Sequence, residues 1–175
     1  AGEDSGTTLH AGAEKGNDGC GRVWGGEFEV DVNQGDKNGG TPRYVAAEDG
    51  DDGCVRVFAG ELKADVSQVD KNGLNPLYAA AKYGHEGCVR VLAGEFKADV
   101  YHASKHGATH LDAAADHGHD GCVRELACES KANVRLASKY VAPPPQFAAQ
   151  HGRQGVAWSF IAAVAAIVLQ YATPA

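Results

Sequence analysis

The sequence predicts an all-α solenoid of stacked helix-turn-helix repeats with hairpin-like turns, followed by a C-terminal helix that is apolar on every side. Three observations carry that reading. Glycine recurs every 34 residues in two series: Gly39, Gly73 and Gly107, and Gly16, Gly50, Gly84, Gly118 and Gly152. Cysteine does the same at Cys20, Cys54, Cys88 and Cys122, each followed two residues later by Arg22, Arg56, Arg90 and Arg124. Finally, the stretch VAWSFIAAVAAIVL at 156–169 holds no charged residue. A fixed period of this length marks an architecture in which each unit buries its apolar face only against its neighbours.

The best-formed unit runs from 70 to 100. Asp70-Lys71-Asn72-Gly73 reads as a turn. A short helix follows: Asn75 can accept a hydrogen bond from the first-turn amides, and Pro76 sits where no amide hydrogen is needed. Gly84 ends this helix, because glycine takes the left-handed conformation at low steric cost. A second helix is expected over 86–96, and Ala98-Asp99-Val100 leads out to the next turn.

Taken along the chain, the repeats fall at 1–32, 33–66, 67–100 and 101–134, a domain of 1–134. The first lacks a preceding turn, with helices expected over 8–15 and 18–28. Glu3, Asp4, Glu14 and Asp18 make it polar enough to cap the open end of the stack, as solubility requires. Trp24, Phe58, Leu92 and Leu126 form one column of expected core residues, and Val23, Val57 and Val91 form its neighbour until Glu125 breaks it. Residues 135–155 are a degenerate fifth repeat and proline-rich linker, where Pro143, Pro144 and Pro145 restrict where a helix can begin. The hydrophobic helix occupies 156–172.

Thr41-Pro42-Arg43-Tyr44-Val45-Ala46-Ala47, Asn75-Pro76-Leu77-Tyr78-Ala79-Ala80-Ala81 and Thr7-Thr8-Leu9-His10-Ala11-Gly12-Ala13 resemble the helix start of the ankyrin repeat, as do Gly84-His85 and the Ala-Asp-Val exits at 64–66 and 98–100. The resemblance covers about 5–135 and, more weakly, 136–155. It implies a non-enzymatic protein–protein interaction scaffold. Two departures stand out. The period is 34 rather than the usual ~33, and Lys63, Lys97 and Lys131 replace the glycine expected before Ala-Asp. One added residue at the end of each second helix is the expected cause. The segment Val91-Leu92-Ala93-Gly94-Glu95-Phe96-Lys97-Ala98-Asp99-Val100 is similar to ankyrin repeats common in microalgae, which implies a photosynthetic light-harvesting assembly as host.

Composition excludes several functions. The chain has 175 residues and a formal net charge of −7, a poor match to a phosphate-driven nucleic-acid binder, and no small-molecule substrate is expected. It opens at Ala1 and contains no methionine, so it is expected to be a processed or trimmed product. Of its five cysteines, four share one repeat position, where neighbours should lie about 8–10 Å apart, beyond the roughly 7 Å that a disulfide spans. Four thiols strung along a stack cannot converge on one metal either, and Cys128 faces elsewhere. His102, His106, His110, His117 and His119 crowd into 18 residues but span a turn and both ends of a helix, so no metal site and no intrinsic cofactor are expected. Pigments or lipids would come only through a host complex. Glu27, Glu61, Glu95 and Glu129 recur as a column on a helix edge, with no cleft in which carboxylates could pair for catalysis.

The surface pattern is most informative at the turns. Lys37, Lys71, Lys105 and Lys139 recur at the expected tips, about 10 Å apart in a stack, as a basic ridge on an acidic protein. Lysine is also a common soluble turn residue; the functional alternative is an electrostatic seam for an acidic protein partner or for the polar face of a membrane complex. Ankyrin proteins bind partners with these fingers and the adjoining first-helix surface. By that resemblance Asn38, Asn72, Leu74, Lys82, Tyr83, His106, His117 and Tyr140 join the lysines as partner-binding candidates.

The tail has two readings. As a transmembrane helix its 17 residues reach about 25 Å, slightly short of a ~30 Å hydrocarbon core. Trp158 and Tyr171 stand near its ends as interfacial aromatics do, with Phe160, Ile161, Val164, Ile167 and Leu169 facing lipid or a partner helix. Lys139 and Arg153 then place the repeats on the cytoplasmic or stromal side, a thylakoid membrane included, and the partners are membrane proteins. In the other reading the chain is a soluble adaptor whose terminal helix packs on its own stack or on a partner.

Overall fold

A computed structural model describes residues 8–22 and 30–129, and beyond them residues 154, 155, 157, 158 and 161. Expectations placed on Val23, Trp24, Glu27, Lys131, the 135–153 linker, Lys139, Tyr140, Phe160, Val164, Ile167, Leu169 and Tyr171, and on the side chains of Cys20 and Cys128, lie outside the described residues.

Helices follow one another in pairs: α1 (Thr8–Glu14) with α2 (Asp18–Gly21), α3 (Pro42–Asp49) with α4 (Asp52–Arg56), α5 (Pro76–Tyr83) with α6 (Glu86–Val89), and α7 (His110–His117) with α8 (Asp120–Arg124). First helices pack on first helices along the stack, in the order α1, α3, α5, α7. The starts of α3, α5 and α7 are held by side-chain caps. Thr41 Oγ1 accepts from Tyr44 N at 3.2 Å and Asn75 Oδ1 from Tyr78 N at 2.9 Å. At α7 the cap is reciprocal: Thr109 Oγ1 accepts from Asp112 N at 3.1 Å while Asp112 Oδ2 accepts from Thr109 N at 2.8 Å. Such caps contribute about 1 kcal/mol each.

The helix stops are fixed twice over. Gly84 has φ +84° and its amide donates to Ala80 O at 3.0 Å, closing the last turn of α5. A Cβ at Gly84 would also meet His119 Nδ1 at 2.5 Å. That close approach has a purpose, because His119 Nε2–H donates to Lys82 O at 3.0 Å, as His85 Nε2–H donates to Glu48 O at 2.8 Å one repeat earlier. Each histidine thereby ties its repeat to the carbonyl end of the preceding first helix.

The core runs the length of the stack in columns: Val55, Val89 and Val123; Phe58, Leu92 and Leu126; Cys54, Cys88 and Cys122, all buried. Fully burying a side chain such as Leu92 contributes about 1.5–3 kcal/mol. Burial pushes the Cys88 and Cys122 thiols up to about 12, which makes them packing groups rather than nucleophiles. One column holds a surprise. Leu9, Leu77 and Leu111 share a repeat position with Arg43, and all four side chains are buried. Arg43 Nη2 donates to Asp65 O, but Nε and Nη1 find no partner among the described residues. Burial draws its pKa down to about 10, with nearby Asp65 opposing.

The extra residue of the 34-residue period has a definite location. Three second helices leave the α conformation for a π-helical turn, Val57–Glu61 after α4, Arg90–Glu95 after α6 and Glu125–Glu129 after α8. Leu62 N donates five residues back to Val57 O at 3.0 Å, and Phe96 N to Val91 O at 3.1 Å. Ala64 N then reaches Phe58 O at 2.8 Å and Ala98 N reaches Leu92 O at 2.9 Å, a clasp one residue wider than the usual helix end. Lys63 and Lys97 sit inside it at φ +52° and +56°, the left-handed conformation in which glycine is normally found.

Candidate partner-binding face

The turns between repeats are built around one inward-facing side chain. Asp36 Oδ1 accepts from Asn38 N at 2.8 Å and Gly40 N at 2.9 Å; Asp70 Oδ1 accepts from Asn72 N and Leu74 N, both at 2.8 Å. Ser104 does the same work in the fourth repeat with a neutral hydroxyl and longer bonds, 3.3 Å from His106 N and 3.2 Å from Ala108 N. With the acceptor turned inward, the lysine beside it points out, and Lys37, Lys71 and Lys105 are exposed.

Neighbouring turns are bonded to each other. Lys71 N donates to Asn38 O at 2.9 Å and Lys105 N donates to Asn72 O at 3.0 Å. The contact is close because the tip glycines lack a side chain: a Cβ at Gly73 would meet Lys105 N at 3.0 Å, and one at Gly39 would meet Asp70 Cα at 3.3 Å. From below, His10 Nε2–H donates to Gly40 O at 2.8 Å and His102 Nε2–H to Gly73 O at 2.9 Å. The three lysines therefore stand on one continuous backbone strip rather than on independent loops.

The first-helix ends complete this face. Tyr83 is 42 % exposed, with Lys82 Nζ 4.9 Å from its ring centroid. His117 is exposed and lies in a stack with His119 at 6.2 Å, its Nδ1–H donating to Ala113 O at 2.9 Å. Asn38, Asn72 and His106 are exposed, while Leu74 and Lys82 are half-buried. Tyr44 and Tyr78 line the same helices half-buried, and burial with neighbouring carboxylates raises both phenol pKa values, so each presents a neutral hydroxyl. Tyr101, 53 % exposed in the third turn, was missed by sequence reasoning; its signal is the replacement of Asn33 and Ser67 by an aromatic at one repeat position.

The histidines do not converge. His85, His102 and His119 are each committed to a carbonyl, and His106 stands alone at a tip. No group of three potential ligands is arranged around a metal among the described residues. His110 is fully buried between two acceptors, with Nδ1 3.2 Å from Val100 O and Nε2 2.9 Å from Asn75 Oδ1. Asn75 cannot turn its amide around without losing the Tyr78 cap, so a neutral imidazole satisfies only one of the two. Burial draws the His110 pKa down to about 4.

The glutamate column has partners that periodicity alone did not show. Arg22 Nε lies 3.0 Å from Glu61 Oε2, and Arg56 Nη2 lies 2.9 Å from Glu95 Oε1. Arg90 instead grips Glu125, at 2.9 Å from Nε and 2.6 Å from Nη2. Glu125, the break in the valine column, is thus a buried carboxylate held by the preceding repeat.

No helix among the described residues is long and apolar enough to cross a membrane. Of 156–172, residues 157, 158 and 161 are described, and each is helical. A Cβ at Gly155 would meet Asp120 at 3.5 Å, repeating the position of Gly121 over Glu86 and of Gly87 over Asp52.

Short helix pairs, left-handed glycine stops and hydrogen-bonded tips define a stacked-repeat protein-interaction module. The family model described as "Ankyrin repeats (3 copies)" matches residues 9–102 and 44–138, together more than half of the chain. The chain belongs to the ankyrin-repeat family. None of the curated proteins matches it.

Proposed function

We propose that this chain is a non-enzymatic scaffold, a linker subunit that holds an acidic protein partner along the tip ridge of Lys37, Lys71 and Lys105 and the adjoining Lys82, Tyr83 and His117, within a membrane protein complex. The observation that carries this reading is the pair of tip-to-tip hydrogen bonds, Lys71 N to Asn38 O and Lys105 N to Asn72 O, which hold three exposed cations in register. Pre-ordered like charges steer an oppositely charged partner and set its orientation more than its raw affinity. Replacing all three lysines with glutamate should abolish recovery of the partner from native extracts at low salt. Unchanged recovery would discard the ridge as the binding surface.

The membrane placement draws on the uncharged run at 156–169, and a photosynthetic host draws on the microalgal likeness of 91–100. A second reading, an adaptor whose last helix packs on its own stack, is favoured by Gly155, which sits over Asp120 as the corresponding glycines of earlier repeats do. An alkaline carbonate wash of membranes separates the two. Retention in the pellet supports the tether, and release supports the adaptor.

A further inference from the structure

The second helices carry a ladder of guanidinium forks, and its last rung is open. Arg22 takes Asp18 from its own helix at 2.8 Å and Glu61 from the next repeat. Arg56 takes Asp52 and Glu95, and Arg90 takes Glu86 and Glu125. Arg124 occupies the same repeat position and is exposed, yet no carboxylate among the described residues lies within ion-pair distance of it. The acid that closes a rung comes 39 or 35 residues later, and those positions are now Ala163 and Ser159. Residues 130–175 hold no acid to take their place. All 23 acidic residues precede position 130, with 12 of the 16 Lys and Arg, so 1–129 carries a formal −11 and 130–175 a formal +4.

One repeat beyond Arg124, at the arginine's own position, stands Trp158. It is helical and 67 % exposed, and Ile161, one turn on, is 57 % exposed. Gly155 seated over Asp120 places this helical segment in the row of second helices, so the indole continues the outer edge along which the arginines lie. We propose that Arg124, Trp158 and Ile161 form a second docking surface, distinct from the turn face, for an amphipathic partner helix that delivers one carboxylate to Arg124 and lays apolar side chains on Trp158 and Ile161.

Charge complementarity selects this occupant. In the three closed rungs the fork receives a carboxylate carried on a neighbouring helix, and the open fork presents the same donors at the same register. Away from the lysine ridge at the tips, an acidic helix is repelled by the net charge of the body and attracted to the C-terminal end. Tryptophan and arginine are also the residues that most often dominate binding at an interface. A lipid headgroup offers a phosphate to the same fork, but a bilayer would have to accommodate the −11 body alongside it.

The test uses the full chain and three labelled helical peptides with one identical leucine face and Glu, Gln or Lys at the central polar position, read by fluorescence anisotropy. The Glu peptide should bind about tenfold tighter than the Gln peptide. R124E should reverse the order in favour of the Lys peptide, R124Q should level the Glu and Gln peptides, and W158A should weaken all three. The turn variant K71E should change none of these, which keeps this surface separable from the ridge. Equal binding of the Glu and Gln peptides, or a preference untouched by R124Q in a protein with unchanged melting temperature, overturns the proposal. So does Arg124-dependent binding to phosphatidylglycerol vesicles without a Glu preference, which would assign the site to lipid.

Discussion

Repeats two and three are the same device with one core residue exchanged. Both open on a capped Pro helix, α3 and α5, and both close on a left-handed glycine. At the second helical position one buries Leu77 and the other buries Arg43, two of whose donors meet no partner among the described residues. The stack absorbs the difference because a solenoid sums local terms: a poor repeat is carried by its interfaces with better neighbours. The comparison teaches that burial in such a protein reports position in the stack more than suitability of the side chain.

That comparison can be pressed at three points. The largest effects fall on the exchanged pair. L77A should lower stability by about 2–5 kcal/mol, as cavity-forming core truncations do. R43L should raise it by about 1–4 kcal/mol, because an apolar residue replaces a buried charge with incomplete pairing. Urea titrations followed by far-ultraviolet circular dichroism measure both, and a destabilised R43L would show that the unmet donors are satisfied after all.

The next effect distinguishes repeat four from both. Where they have Pro42 and Pro76, it has His110. Its pKa is near 4 when folded against the usual ~6.5 when unfolded, so the unfolded chain binds more protons in between. The neutral-imidazole contribution is therefore complete above about pH 6.5 and is lost as the pH falls toward 4. His102, Tyr78 and Asp99 are the titratable groups around it, and His102 pushes in the same direction as burial. H110P should flatten the stability profile across that window relative to the wild type. An unchanged slope would assign the pH dependence elsewhere.

The smallest effect tests the helix ends that repeats two and three share. K63G and K97G should each raise stability by about 0.5–1 kcal/mol, since glycine relieves the left-handed strain but gains freedom in the unfolded chain. The melting temperature reports it, and a loss would mean that the lysine stems pack usefully there.

Much of this was legible in the sequence for local reasons. Asn75, Pro76 and Gly84 act on their own backbone, so a 34-residue echo of such residues is enough to draw the helices. The column partners Phe58, Leu92 and Leu126 followed from the same echo. What stayed hidden involved partners outside one period. Arg56 meets Glu95 39 residues away and Arg90 meets Glu125 35 away, and only the stacking geometry decides which acid is reached. Arg43 shares its repeat position with Leu9, Leu77 and Leu111, but nothing local says whether a long cation reaches solvent or stays inside. The turn face was half legible. The lysines repeat, while the bonds that tie one tip to the next belong to the backbone of two different repeats.

The π-helical turns at 57–61 and 90–95 have a consequence for how such a chain can be assembled from parts. The added residue is consumed inside one turn, so the columns before and after it keep their alignment. A unit of 34 residues and a unit of ~33 then present the same faces to a neighbour. Modules of unequal length become interchangeable within one rod, and trimming one residue from this turn should leave the units on either side in place.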